Sequence, residues 1–493
     1  MKIAVVGSGV SGLAATWALN EHSPHEVHLY EADDRAGGHA NTVRYVPPGK
    51  SDDDAVDIVF NPTTYPNFLR FLQRTPKIRI LQTEMTFSVC RDWGLFEWAG
   101  KNLATLFCQP SRLLDPDMWR LVYDVLRFNA CARRLVSSKA PSDDPNLSIG
   151  DYLDREGYSP SFRDNYLIVS DFLLIVLEPM TAAIWSTPPE KCLMNFPART
   201  LVQFMSNHHL LQVTGKPSWL TIEGGSRNYV NTILSKLPKE RLHLSSPVTS
   251  ICRTSQGEGH NTVLLKTGNE EAVTVYDRVI MACHSDACMS ILKGGRDLRD
   301  DEEEILKCFT WNKNVVVLHS DINLMPKART AWSCWNYLTT YYMNELQHLP
   351  EDLHCPVLVT LNPPADPDVT KTAARFAYNH PILDTKAIIA QKVMPNIQGR
   401  GGVMFAGAWL GYGFHEDGFT SGLRAVTEHI DGVQLPFEIA CADREPCAVF
   451  VAPFFKLLEV TGIRAVVGTA LKLVLLLIRS IVQSYQNVFH IQW

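Results

Sequence analysis

The sequence predicts an α/β fold with a discontinuous Rossmann-like domain, a second α+β domain and a C-terminal amphipathic helical tail. Three observations support this prediction. The chain opens with a short apolar run, residues 2–6, which leads through three glycines into a helix-forming segment. Apolar runs of strand length return at residues 278–282 and 403–407, as expected for strands buried in one parallel sheet. From residue 448 onward the chain is strongly apolar.

Composition excludes several classes of protein. The 493 residues are 46% hydrophobic and 20% charged, which is typical of a globular chain and not of a disordered one. The 46 basic and 52 acidic residues give a net charge of −6, so we expect no nucleic-acid partner. The 12 cysteines contain no C-x-x-C pair, and His208-His209 lacks a third ligand, so we expect no metal site.

The same features predict an intracellular protein, either cytoplasmic or peripherally associated with a membrane. The spacing of the cysteines indicates no disulfide framework, which fits a reducing compartment. The first residues, Met1 to Val6, run straight into glycines, so they read as folded protein and not as a secretion signal.

The first glycine motif predicts a phosphate-binding turn. Gly7, Gly9 and Gly12 form G-x-G-x-x-G between a predicted strand and a predicted helix. Gly7 permits the tight turn, Gly9 lets the backbone approach a pyrophosphate, and Gly12 lets the helix lie close to the strand, so that amides such as that of Ser11 face anionic oxygens. Glu31 ends the next predicted strand, where an acid accepts hydrogen bonds from a ribose. Dinucleotide binding is predicted; an empty Rossmann-like domain is the alternative.

A second glycine pair follows that acid. Glu31, Arg35, Gly37, Gly38 and His39 form the segment E-x-x-x-R-x-G-G-H. It resembles a segment of the flavin-containing amine oxidase and phytoene desaturase superfamily, in which the arginine and glycines help to hold FAD. The resemblance implies FAD as cofactor. Since the cysteine motif of covalently flavinylated amine oxidases is missing, we expect non-covalent binding.

Later blocks resemble the same superfamily in order. Residues 219–226 resemble its glycine-pair block, and Val248 lies in a strand similar to the one whose valine backbone pairs with adenine. Ala282 ends a strand similar to the one that reaches the dinucleotide. His284 follows two residues later, and it would either hydrogen-bond FAD or pack in a loop.

The motif at residues 403–426 resembles the superfamily's last flavin-binding block. Gly407 and Ala408 end an apolar strand, and Ala408 stands where the superfamily usually has an acid that contacts the ribitol. The helix that contains Gly418 is expected to point its N-terminus at the flavin, where a positive helix end stabilises the reduced ring.

The turn before that helix supplies the candidate catalytic residues. His415, Glu416 and Tyr412 lie where a titratable group would assist proton removal or tune the flavin potential. The alternative is that the acids, including Asp417, cap the helix. Tyr412 and Trp409 would either stack beside the flavin or pack in the core.

A closer resemblance is to a subgroup of predicted NAD/FAD-binding proteins associated with cyclopropane-fatty-acid-synthase-type methyltransferases. It implies a lipid methyltransferase as a partner. The resemblance rests on six blocks: residues 60–67, 182–186, 282–286, 333–337, 360–363 and 411–418. Two departures stand out, namely a shortened segment after Asp57 and an apparent insertion at residues 169–178.

The glycine-bearing blocks divide the chain. We predict an FAD-binding domain from residues 1–57, 216–300 and 396–435, and a substrate domain from 58–215 and 301–395. Residues 118–126 are predicted to form a helix and residues 315–318 and 356–360 to form strands.

The remaining segment, 436–493, is an apolar tail. Arg464 and Lys472 interrupt its longest apolar run, which disfavours a simple transmembrane helix. At 100° per residue the polar side chains fall on one narrow side, which predicts a basic amphipathic helix at a membrane interface. Docking on the protein itself or on a second copy is the alternative.

Three functions are consistent with these features. The first is an FAD-dependent oxidoreductase that removes a hydride from a small hydrophobic substrate such as a lipid acyl chain. The second is a flavin amine oxidase that makes an imine and hydrogen peroxide. The third is a catalytically weak FAD-binding partner of a lipid methyltransferase.

Overall fold

Strands form where the apolar runs of the sequence predict them. The computed structural model describes residues 1–45, 54–56, 59–137, 147–167, 197–212, 218–256, 260–268, 272–336, 340–441 and 450–489. Its strands are β1 (Lys2–Val6), β2 (Glu26–Tyr30), β3 (Val43–Tyr45), β4 (Asp54–Val56), β5 (Val59–Phe60), β6 (Ile80–Thr83), β7 (Phe87–Arg91), β8 (Phe96–Ala99), β9 (Trp219–Ile222), β10 (Leu242–His243), β11 (Val248–Gln256), β12 (His260–Thr267), β13 (Val273–Tyr276), β14 (Arg278–Met281), β15 (Thr310–His319), β16 (Trp335–Asn336), β17 (Thr340–Tyr342), β18 (Leu358–Leu361), β19 (Thr372–Ile382) and β20 (Val403–Phe405).

Helices alternate with these strands in the first part of the chain and dominate its end. They are α1 (Val10–His22), α2 (Pro66–Gln73), α3 (Leu103–Leu106), α4 (Pro116–Cys131), α5 (Ile149–Glu156), α6 (Pro160–Phe162), α7 (Ala198–Asn207), α8 (Arg227–Lys236), α9 (Ser285–Gly294), α10 (Asp300–Leu306), α11 (Met343–Gln347), α12 (Glu351–His354), α13 (Thr385–Val393), α14 (His415–Thr427), α15 (Ala452–Val460) and α16 (Ile463–Phe489). Short 3-10 turns such as Pro110–Leu114 lie between them.

The chain divides into two compact units. The first contains Met1–Thr83, Ser218–Asn314 and Ala377–Ala442, and the second contains Glu84–Pro217, Val315–Phe376 and Asp443–Trp493. The α/β fold class with a discontinuous first unit is confirmed. The functional division into an FAD-binding and a substrate domain stays a prediction.

A parallel sheet organises the first unit. Its strand order is β10-β2-β1-β14-β20, and β1 pairs in parallel with both β2 and β14. Residues 3–5 of β1 are fully buried, as the unbroken apolar run predicts for a central parallel strand. Because parallel strands end at the same edge, the segments after β1, β2, β14 and β20 meet there although they come from distant parts of the sequence.

Helix α1 is held against α14 by two glycines. A Cβ on Gly422 would lie 2.1 Å from the carbonyl oxygen of Ser11, and one on Gly418 would lie 2.5 Å from Val10 Cγ1. Real Cβ atoms essentially never come this close to other atoms, so α14 meets the backbone of α1 at Gly422 and the Val10 side chain at Gly418. This contact places the start of α14 beside the start of α1.

Residues 59–83 lie in the first unit. Their assignment to a substrate domain is functional and stays a prediction. Strands β5 and β6 pair with β9, and α2 packs against α14. The apolar face of α2 buries Phe68, Phe71 and Leu72 in the same core as Leu13 and Phe419. These long-range contacts leave no signal in the local pattern.

The second unit combines a mixed sheet with helices. The sheet order is β19-β15-β18-β17-β16-β7-β8. The predicted strands at residues 315–318 and 356–360 correspond to β15 and β18, and the predicted helix at 118–126 lies within α4. Asp115 caps α4 by accepting a hydrogen bond from the amide of Asp117. The shortened segment at Asp57, the apparent insertion at 169–178 and the block at 182–186 lie outside the described residues.

The glycine contact between α1 and α14 gives a test of the fold. Gly422→Ala should lower the free energy of unfolding by about 2 kcal/mol, because the new methyl group forces the helices apart. Gly468→Ala is the matched control: it also adds a methyl group inside a helix, but nothing lies within 4 Å of that position. Urea denaturation followed by tryptophan fluorescence measures both variants. Equal stability of the two would contradict the packing described here.

Candidate functional site

The first glycine turn is shaped by three close backbone contacts. Gly7 has a φ of 101°, and a Cβ there would lie 2.7 Å from the carbonyl oxygen of Ala282. A Cβ on Gly12 would lie 1.9 Å from the carbonyl oxygen of Gly7. Side chains are therefore excluded at both positions. Ala282 directly follows β14 and borders the same turn. Its amide donates a hydrogen bond to the carbonyl oxygen of Val6 at 2.8 Å.

The start of α1 offers unpaired donors to a ligand. Gly9 is the N-cap residue and provides no side-chain cap. The first amides of a helix, including that of Ser11, have no carbonyl partner within the helix and carry its positive end. Around a Cβ built on Gly9 nothing lies within 4 Å, so there is space for an anionic group at this position. The Ser11 side chain itself is buried.

The second glycine pair is fastened to the first turn. The amide of Gly37 donates to the carbonyl oxygen of Ser8 at 3.1 Å, and the Arg35 guanidinium donates to the carbonyl oxygen of Gly38 at 2.8 Å. Gly38 has a φ of 55°, and a Cβ on it would lie 3.1 Å from the Cα of Gly9. The Arg35 side chain therefore stabilises the conformation of the loop that contains Gly37 and Gly38.

Glu31 links the two loops. Its carboxylate accepts hydrogen bonds from the Ser8 amide at 2.9 Å and from the Asp33 amide at 3.0 Å. The carbonyl oxygen of Glu31 accepts from the amide of Ser246 at 2.8 Å, two residues before Val248 at the start of β11. We call the two glycine loops, together with Glu31 and Val248, the cradle. Glu31 and Val248 lie at one end of it, as expected for a ribose-binding acid and an adenine-binding strand.

The turn after β20 is built on aromatic packing. A Cβ on Gly407 would lie 2.1 Å from Trp409 Nε1, and this indole donates to the carbonyl oxygen of Cys283 at 3.1 Å. Trp409 is buried against Phe309, so its packing alternative is the one observed. Ala408 lies next to Gly418, with its Cβ 3.5 Å from the Cβ position of that glycine.

Glu416 caps another helix. It is 4% exposed, and its carboxylate accepts hydrogen bonds from the amides of Asn67 at 3.0 Å and Phe68 at 2.9 Å, at the start of α2. Burial raises the pKa of Glu416 to about 7, and these amides oppose the shift. The contacts give Glu416 a structural role at α2 and not, as the alternative expected, at the start of its own helix; its catalytic role stays a prediction.

Asp417, Tyr412 and His415 are arranged around the start of α14. The Asp417 carboxylate accepts hydrogen bonds from the amides of Tyr412 at 3.1 Å and Phe414 at 2.8 Å. His415 Nε2 and the Tyr229 hydroxyl are 2.6 Å apart, and burial lowers the pKa of His415 to about 3. His415 is therefore neutral and hydrogen-bonded near neutral pH.

Gly418 has a packing role that its predicted cofactor role did not include. It lies in the contact between α1 and α14, with Gly422 four residues later on the same side. The spacing Gly418-x-x-x-Gly422 was the sequence signal for this close helix contact.

An imidazole and aromatic cluster surrounds His39. The ring centroids of Tyr378, His380 and His284 lie 4.9, 5.4 and 5.7 Å from that of His39, and His284 stacks on Trp311 at 3.8 Å. We call these five residues the histidine cluster. Sequence analysis missed Tyr378 and His380, although their alternation in a strand places both on one face.

The histidines of the cluster are held neutral. Burial, followed by the proximity of His284, lowers the pKa of His380 to about 4. Burial also lowers the pKa of His284, whereas the side chain of His39 is exposed. The Asn314 amide Nδ2 donates a hydrogen bond to His380 Nδ1 at 2.8 Å. The surface that follows the second glycine pair is therefore polarisable and uncharged.

The geometry fits a dinucleotide whose pyrophosphate lies at Gly9 and whose ribose meets Glu31. The open position at Gly9, the uncapped α1 and the acid at the end of β2 are the features such a ligand requires. The fold and site together are those of a dinucleotide-binding protein.

Comparison with protein families specifies which one. The family model of flavin-containing amine oxidoreductases matches residues 10–293, more than half of the chain. The protein belongs to this family: it is an FAD-dependent oxidoreductase. The superfamily resemblance is thereby confirmed. The association with methyltransferases stays a prediction.

Solved structures share the fold over most of the chain. A putrescine oxidase variant aligns with a TM-score of 0.59 and 14% identity over 87% of this chain and 98% of that one. A fatty acid isomerase from P. acnes aligns with a TM-score of 0.58 and 16% identity, again over 87% and 98%. Cyclohexylamine oxidase from Brevibacterium oxydans gives a TM-score of 0.56 and 14% identity over 86% and 97%. No curated protein matches the sequence.

The second glycine pair provides a test of cofactor binding. Gly38→Ala should weaken FAD binding at least tenfold, because the methyl group displaces the loop from Gly9 in addition to straining the backbone. Gly157→Ala is the control, since Gly157 has a similar φ of 68° but nothing within 4 Å. The measurements are the FAD content after purification and the Kd of the apoprotein for FAD. A Gly38→Ala variant with wild-type affinity would disprove the role of this loop.

The histidine cluster predicts a pH dependence of stability. His380 has a lower pKa in the folded than in the unfolded chain, so the folded state binds fewer protons and stability falls as the pH drops from about 6.5 towards about 4. His380→Gln should reduce the loss between pH 7 and pH 5 by about 1–2 kcal/mol, allowing for partial solvent screening. Urea titrations at the two pH values measure the difference.

The control for this test is His348→Asn. His348 is exposed and has a φ of 58°, which asparagine tolerates. The control should keep the wild-type dependence, and the same result for His380→Gln would contradict the inferred burial of that imidazole.

Proposed function

We propose that this enzyme oxidises an uncharged, hydrophobic substrate, a lipid acyl chain being the preferred class. The observation that carries the proposal is the histidine cluster, whose imidazoles are neutral and whose other members are aromatic. It directly follows the second glycine pair in the structure, since His39 is the residue after Gly38.

Charge distribution supports an apolar substrate. The two candidate carboxylates of the α14 turn, Glu416 and Asp417, are engaged with backbone amides. An ammonium group that leaves water requires a carboxylate or a comparable partner to offset its desolvation. The five side chains of the histidine cluster are rings with neutral nitrogen and hydroxyl groups and include no carboxylate, so an ammonium group would find only cation–π contacts and neutral acceptors there.

In the proposed reaction a substrate C–H bond loses a hydride and the neighbouring carbon loses a proton to solvent, so that a C=C bond forms. Bound FAD is the oxidant that accepts the hydride. The cradle residues Gly9, Glu31 and Val248 would hold the cofactor, and Arg35 and Gly38 would keep the second loop in place.

An amine oxidase is the second candidate, because the matching family model is that of flavin-containing amine oxidoreductases. The shared fold does not separate the two, since its members include a putrescine oxidase and a fatty acid isomerase. A lipid methyltransferase as partner of this enzyme remains a prediction based on resemblance.

The deciding experiment is anaerobic reduction of the purified, FAD-loaded protein. We expect unsaturated or methyl-branched fatty acids and their phospholipids to bleach the visible flavin absorbance, and mass spectrometry to find an acyl product that lacks two hydrogen atoms. Putrescine and cyclohexylamine serve as the competing substrates. Bleaching by the amines alone would establish the second candidate, and bleaching by neither class would refute oxidation of both.

A further inference from the structure

Two C-terminal helices leave a large apolar surface uncovered. In α16 the stretch Ile463–Tyr485 has a mean hydropathy of 2.1 and is 6% buried, and its length and composition would allow it to cross a membrane. In α15 the exposed side chains Phe454, Leu457 and Val460 recur every third residue. We call the exposed apolar side chains of α15 and α16 the apolar helix surface.

The side of α16 that touches the rest of the second unit contains Arg464 near the start of the helix and Leu475 near its middle. Leu475 is 8% exposed and the Arg464 side chain is 32% exposed, and α16 contacts α4 and the turn Pro110–Leu114. At about 100° per residue these two side chains point in nearly the same direction. Gly468, Lys472 and Arg479 follow within about 80° of Arg464 around the helix.

The opposite side of α16 is apolar and exposed. It contains Val466, Leu473, Leu477 and Ile481, which are 72%, 64%, 63% and 53% exposed. A helix of a water-soluble protein normally turns its apolar side to the core. Here the arrangement is reversed, and the exposed side needs an apolar environment.

An ionic cluster fixes the corner between α15 and α16 on α4. Glu459 accepts hydrogen bonds from Arg464 at 3.1 Å and from the Tyr123 hydroxyl at 2.9 Å. Buried Arg127 lies 3.4 Å from the same carboxylate, and Phe455 packs edge-on against Tyr123. The reversed orientation of α16 is thus held at its N-terminal end by specific contacts.

The charges of α16 indicate the environment. The helix contains Arg464, Lys472 and Arg479 and no acidic residue. Lys472 and Arg479 are exposed at the border between the polar and apolar sides. Basic side chains beside an apolar face complement anionic lipid headgroups above acyl chains. A second copy of the chain would cover the apolar side but would gain nothing from the uniformly basic border.

The contacts also distinguish a helix that lies on a bilayer from one that spans it. Leu475 is near the middle of the 27-residue helix and is buried, and the helix contacts α4 and the turn Pro110–Leu114. The middle of a spanning helix lies about 15 Å inside the hydrocarbon layer. Since the middle of α16 touches the protein, the helix cannot adopt this position without leaving α4.

We propose that α15 and α16 form a monotopic anchor that lies in the interface of an anionic bilayer. The apolar helix surface enters the acyl region, Lys472 and Arg479 lie at the headgroups, and the second unit stays on the aqueous side. This inference is independent of the substrate, because it concerns binding and not oxidation.

Flotation with lipid vesicles tests the anchor. The full-length holoprotein should float with vesicles of phosphatidylcholine and phosphatidylserine, more weakly with phosphatidylcholine alone, and less at high salt. The double variant Leu473→Glu with Leu477→Glu should lose at least tenfold in vesicle binding. Lys472→Gln and Arg479→Gln should each weaken binding to anionic vesicles about fivefold.

The control is Leu103→Glu with Val369→Glu, which adds the same charges at exposed apolar positions outside α15 and α16. It should bind vesicles as the wild type does, and circular dichroism and FAD content verify folding of every variant. Failure of the wild type to float, a lipid-free dimer that dissociates on Leu473→Glu with Leu477→Glu without any vesicle binding, or resistance of the membrane-bound protein to alkaline extraction would overturn the proposal.

Discussion

The first unit depends on backbone segments that approach one another more closely than any side chain allows. Gly12 lies against Gly7, Gly38 against Gly9, and Gly422 against Ser11. These contacts bring the start of α1 to the end of β1, the second loop over the first, and α14 beside α1. The phosphate-binding turn is therefore a result of packing between backbones, which the side chains of Glu31 and Arg35 reinforce by hydrogen bonds.

The acids of this unit are used to complete the backbone hydrogen bonds. Glu31 accepts the amide of Ser8, Glu416 accepts amides at the start of α2, and Asp417 accepts those of Tyr412 and Phe414. A buried amide without a partner is costly, so these carboxylates stabilise loops and helix ends. These carboxylates are therefore engaged in holding the backbone, and the oxidation chemistry belongs to the flavin cofactor of the family.

The second unit satisfies a different constraint at its C-terminal end. Its helix α16 turns polar groups inward, where Arg464 pairs with Glu459, and apolar groups outward. Ion pairs hold the corner, while the hydrophobic effect acts on the outer side and requires a partner outside the chain.

Sequence alone was sufficient where the controlling interactions are local. The strand, turn and helix around Gly7, Gly9 and Gly12 follow from an apolar run, glycine spacing and helical periodicity within 20 residues, and Glu31 follows at a regular distance. The apolar character of residues 463–485 is likewise a local property. Tertiary structure alone decided that Glu416 caps α2, which lies 349 residues earlier, that His380 joins His39, and that α16 turns Leu475 and Arg464 inward. Local patterns state which surface a segment must bury, but the partner that covers it is chosen by the packing of the whole chain.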